Sequence, residues 1–175
     1  KGIHKTSISD IVDNAGVAKG TFYLYFKDKY DIRNKLIAHK SGEVFRRADL
    51  ALKETDITDL EERVIFLIDH IINQLVENKT LLEFITKNLS WGVFKNVLIG
   101  AGDYSEVDFY DVYHSMFQNE GKFKAPEVMV FMMIELVGAT CYSSILYSEP
   151  VGIEELKPYI FHTIRGIMAA HRIEE

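Results

Sequence analysis

Apolar residues along this chain recur mainly at helical spacing. Ile8, Ile11, Val12 and Ala15 fall at i, i+3, i+4 and i+7 behind Thr6 and Ser7, two residue types that cap helices well. Asn14-Ala15-Gly16 closes that helix, glycine suiting the left-handed turn position, and Val17 is expected to re-enter the core. A second short helix is predicted from about Ala18 to Tyr25, burying Phe22 and Phe26. Asp28 is placed to cap a third, with Asp31 at its third position and Ile32, Leu36, Ile37 and Val44 along one side. Gly42 lies inside this third helix and marks either a kink or a close packing contact.

A polar break over residues 55–59 precedes a long amphipathic helix with Leu60, Val64, Leu67, Ile68, Ile71, Ile72 and Leu75 at helical spacing. Asn78-Lys79-Thr80 interrupts it, and two more helical stretches are predicted over roughly 80–99, then a loop at 100–103. Phe109, Val112, Tyr113, Met116 and Phe117 form the next stripe, and Pro126 opens the following helix where proline is favoured. Residues 128–148 carry one charge, Glu135, and are long enough to cross a bilayer. Glu135 near the middle, a polar side of Thr140, Ser143, Ser144 and Ser148, and the lack of a flanking basic cluster argue instead for burial between a core and a partner subunit. A last helix spans about 153–172, with Leu156, Ile160, Ile164, Ile167 and Met168 on one stripe. The expected fold class is all-α. A helix-turn-helix domain occupies residues 1–47, and a helical bundle occupies 48–175.

Charge changes this picture more than composition does. The 175 residues carry a net charge of −6, which alone argues against a polyanion partner. Residues 1–53, however, hold 11 Lys/Arg against 6 Asp/Glu, and residues 54–175 hold 9 against 20. A basic module able to approach phosphates is joined to an acidic one. The single cysteine, Cys141, permits no intrachain disulfide, which fits a cytoplasmic protein, and the first residues show no apolar leader segment. The six histidines lack metal-ligand spacing, and neither a glycine-rich phosphate loop nor a nucleophile elbow is present. No catalytic residue, metal or cofactor is therefore expected, nor an enzyme.

Two short helices joined at Gly16 suit DNA, because the second can enter the major groove while the first crosses the backbone. Ala15-Gly16-Val17, Lys19-Gly20-Thr21-Phe22-Tyr23-Leu24-Tyr25-Phe26 and Lys27-Asp28-Lys29 resemble the DNA-binding region of the tetracycline-repressor (TetR) family. Ala18 stands where that family has a capping serine, and the family's first helix would precede residue 1. Lys19 and Thr21 are expected at base edges, Gly20 at a close backbone approach, and Tyr23 and Leu24 on the extended contact face. Thr6, Ser7, Tyr25 and Lys29 are expected at phosphates.

The resemblance implies a homodimer formed by the last two helices, with Gly138, Ala139 and Ser143 permitting close approach and Ile160, Ile164 and Ile167 filling the seam. It also implies a small-molecule effector in the middle helices, where Phe84, Asn88, Trp91, Tyr110, Tyr113, Phe117, Met133 and Tyr142 supply an apolar pocket with polar handles. The expected function is a ligand-responsive regulator, in most such cases a repressor, that binds a palindromic operator. The competing reading is a helical interaction or architectural module without specific DNA readout, against which the charge segregation and the Lys19–Tyr25 helix both weigh.

Overall fold

The computed structural model describes residues 2–88, 113, 116–117 and 122–173. Among these the structure is helical, with no strand beyond an isolated bridge between Phe123 and Arg172. The helices are α1 (Gly2–Lys5), α2 (Ile8–Ala15), α3 (Lys19–Tyr25), α4 (Lys29–Lys53), α5 (Leu60–Glu77), α6 (Lys79–Asn88), α7 (Pro126–Tyr147) and α8 (Ile153–His171).

Each boundary has a local cause. Ser7, rather than Thr6, is the cap of α2: its hydroxyl accepts from the Asp10 amide while the Asp10 carboxylate accepts from the Ser7 amide. Gly16 ends α2 at φ 67°, as the sequence predicts. Val17 is 43% exposed instead of returning to the core, because the chain runs extended here and Phe22 fills the interior position. The Asp28 carboxylate accepts from the Tyr30 and Asp31 amides, and the Asp31 carboxylate from the Lys27 amide. Asp59 and Asn78 cap α5 and α6 in the same manner, and Pro126 opens α7.

Helix α4 runs unbroken through Gly42, which is buried, so the packing reading of that glycine holds over the kink. Its 25 residues span about 37 Å. Leu36, expected on the core side, is 46% exposed and borders a groove against α6. The main core lies where α5, α7 and α8 meet, with Ile72, Met129, Ile164 and Met168 fully buried. A smaller cluster of Ala48, Leu52, Leu67 and Met116 joins α4 to α5. Helix α7 is apolar and long enough to cross a membrane, yet it lies along α8 and also packs on α5 and α6. Helices α5 and α8 are tied by Lys157 to Asp69 (3.0 Å), Arg165 to Glu62 (2.8 Å) and Arg172 to Glu61 (2.9 Å).

Candidate DNA-binding and ligand-binding sites

The recognition surface is α3. Phe22 is its buried residue, 5.3 Å from the Phe26 ring, and Val12 is the buried residue of the neighbouring α2. Lys19, Gly20, Tyr23, Leu24 and Tyr25 are all exposed, Leu24 most of all at 80%, and Thr21 is half-buried. An exposed leucine between two exposed tyrosines costs solubility in an isolated protein and suits a surface that another molecule covers. Ala18 supplies no capping bond, and the Thr21 amide turns instead to the Ala18 carbonyl at 2.9 Å.

The residues expected at phosphates divide. The Thr6 hydroxyl donates to the Gly2 carbonyl at 2.8 Å, and the Ser7 hydroxyl donates to the Asp10 carboxylate at 2.8 Å. A phosphate only accepts, so a hydroxyl that already donates has nothing to offer it. Lys29 donates to the carbonyls of His4 (3.0 Å) and Thr6 (3.1 Å), which fastens α1 and the start of α2 to α4. These three residues build the module. Lys5, Lys19 and Lys27 are exposed and carry no side-chain bond or ion pair among the described residues. Lys5 and Lys27 were not singled out in the sequence, where a lone lysine looks like any solvated one. Replacing Ser7 with alanine is expected to lower stability by about 1 kcal/mol, read as a fall in thermal midpoint, since the Asp10 amide loses its acceptor while the Ser7 amide keeps its own bond to the Asp10 carboxylate.

A cavity of about 500 Å³ lies between α4, α5, α6 and α7. Tyr113, Phe117, Met133 and Tyr142 line it, together with Phe45 of α4, which the sequence reading missed. Phe84 instead borders the groove between α4 and α6. Trp91, Tyr110 and the side chain of Asn88 lie outside the described residues. The α5 wall comes from Leu67, Ile68 and Ile71, residues whose periodicity marks them only as buried. Lys87 stands at the rim. The Tyr142 hydroxyl and the Glu83 carboxylate, 3.1 Å away, raise its pKa. Burial pushes the Cys141 thiol up to about 11, so it is an inert packing residue.

The seam residues need correction. Ile160 and Ile164 are 2% and 0% exposed within the chain's own core, so these two face inward, while Ile167 is half-buried at the edge of that core. Gly138 lines the cavity, Ala139 is exposed at its rim, and Ser143 is half-buried. The outward faces are Val128, Met132 and Ala139 on α7, and Tyr159, Gly166 and Ala170 on α8.

Residues 1–36 match the family model described as bacterial regulatory proteins, tetR family. Over 53 residues the chain is 45% identical to the fatty acid metabolism regulator protein of Bacillus subtilis, a stretch covering 30% of this chain and 27% of that relative. An HTH-type transcriptional regulator of Staphylococcus aureus is 24% identical over 93% of this chain and 83% of its own. Among solved structures, the fatty acid degradation regulator FadR from Bacillus halodurans shares the fold with a TM-score of 0.60 and 22% identity, covering 94% of this chain and 90% of that one. The first 36 residues therefore match the DNA-binding region of TetR-family regulators, and the described residues share the all-helical fold of such a regulator.

Proposed function

We propose that the chain is a ligand-released repressor that grips a palindromic operator as a homodimer. One observation carries this reading: a single helix, α4, holds the helix-turn-helix at its start and lines the 500 Å³ cavity further along with Ser41, Gly42, Val44 and Phe45. A molecule filling the cavity presses on the lever that aims α3. Half-sites on DNA lie about 34–36 Å apart, so a small tilt of two such levers spoils simultaneous docking. A coupling of about 1–3 kcal/mol gives roughly 5–150-fold control.

Lys19 and Thr21 read base edges, with Tyr23 and Leu24 beside them. Lys5, Lys27 and Tyr25 take the phosphates. The outward faces of α7 and α8 pair with their two-fold copies, small residues at Ala139, Gly166 and Ala170 letting the helices approach. The nearly all-apolar cavity wall favours a ligand with a long hydrocarbon body. Two relatives are named as regulators of fatty acid metabolism and degradation, which supports an acyl chain as the first candidate.

DNA selected by the protein from a random pool tests the reading. Affinity is expected to fall by roughly a thousandfold between about 50 and 200 mM salt, for about six neutralised phosphates. Titration with palmitate and with the corresponding alcohol is expected to release that DNA. A pool that yields no enriched sequence, or binding indifferent to salt, overturns the DNA reading. Enriched DNA that no apolar probe releases overturns the effector reading.

A further inference from the structure

The recognition helix is fastened unevenly. At its start Ala18 offers no side-chain bond. At its end the Tyr25 carbonyl accepts from the Lys35 ammonium at 3.1 Å, and the same ammonium lies 5.3 Å from the centre of the Phe26 ring. Among the described residues this is the only side-chain hydrogen bond that reaches α3 from elsewhere. A cation is favoured at this end, where the last carbonyls of a helix have no partner within it.

Lys35 belongs to α4, six residues before Ser41 and Gly42 of the cavity wall. Lys29 of the same helix holds the other half of the module through the His4 and Thr6 carbonyls. Helix α4 therefore reaches back to the helix-turn-helix through two lysines, and of these only Lys35 bonds the recognition helix itself. Phe26 adds a packed contact that a cation at this distance reinforces.

We infer that Lys35 is a positioning residue that makes the recognition helix follow α4, fixing the angle at which Leu24 and Tyr25 are presented. The positioning role stands on the geometry alone. Its use in carrying the ligand signal rests on the reading of the cavity given above.

Spin labels at Leu24 and Leu50, both exposed, report the angle between α3 and the far part of α4. Cys141 is replaced by alanine, and labelled chains are diluted with unlabelled ones so that only intrachain pairs are read. Lys35→Met keeps the aliphatic stem over Phe26 and removes the donor. Lys35→Gln does the same with a neutral polar tip, and Lys35→Arg restores donor and charge. The distance distribution is expected to broaden about twofold in the Met and Gln variants, with selected-DNA affinity about tenfold lower, and to recover in the Arg variant. Unchanged width in a folded Met or Gln variant overturns the inference, as does broadening that Arg does not rescue. Failure of the unsubstituted protein to select any DNA sinks the operator reading instead, and leaves the distance measurement to decide this one.

Discussion

Replacing Gly166 with arginine is expected to leave each chain folded and to turn the protein into monomers. A Cβ built at Gly166 meets nothing within 4 Å, and the residue is exposed on the outward side of α8. Within one chain the change removes a helix-interior glycine, which by itself favours the helix by roughly 0.5–1 kcal/mol. Against a second copy it places two long charged side chains across a two-fold seam of small residues, where both would lose water without gaining a partner. A monomer reads one half-site, so selected-DNA affinity should drop by more than about a hundredfold. Sedimentation velocity reads the mass, and fluorescence anisotropy the affinity. A Gly166→Arg protein that sediments like the unsubstituted one would place the pairing surface elsewhere.

Phe22→Ala is expected to unfold the helix-turn-helix while the bundle survives. Within α1, α2 and α3, Val12 and Phe22 are the residues buried from solvent. Removing a buried phenylalanine costs about 3–5 kcal/mol, comparable with everything so small a core supplies. The main core shares no residue with this one, since Ile72, Ile164 and Met168 lie on α5 and α8. Hydrogen exchange should therefore rise across residues 2–27 alone, with DNA binding lost and cavity occupancy unchanged. Specific DNA binding retained within tenfold would mean that α3 is held by something other than Phe22.

Several helices were legible because they announce themselves twice, by period and by a residue suited to a helix end. Asp28 with Asp31, Gly16 and Pro126 each sit where elementary capping chemistry puts them, and each does so in the structure. Burial was less legible. A stripe such as Ile160, Ile164 and Ile167 states that a face is covered and is silent about what covers it. Here the cover of Ile160 and Ile164 is the chain's own core, and the outward face of α8 carries Tyr159, Gly166 and Ala170, which give no apolar stripe. The same limit applies to the phosphate contacts. Thr6, Ser7 and Lys29 have the chemistry for the task, but the two hydroxyls and two of the three Lys29 donors go to carbonyls or a carboxylate that only folding brings near. Phe45 was missed for a related reason: the cavity lies beside α4, and nothing in a helical pattern distinguishes packing on a neighbour from facing a void.

The three ion pairs between α5 and α8 run in opposite order along the two helices. Lys157, Arg165 and Arg172 meet Asp69, Glu62 and Glu61 in turn. Singly, the two arginine pairs are too exposed to add much to stability, while the Lys157 side chain is largely buried. Jointly they fix the relative longitudinal setting of two antiparallel rods, because sliding one by a single turn breaks all three pairs at the same moment, with only Lys157 keeping a partner, Glu154, on its own helix. The base on which two copies would rest therefore travels with α5 as a block. Helix α4 takes no part in these three pairs, so the contacts that set α5 against α8 are separate from those that hold the helix-turn-helix to α4.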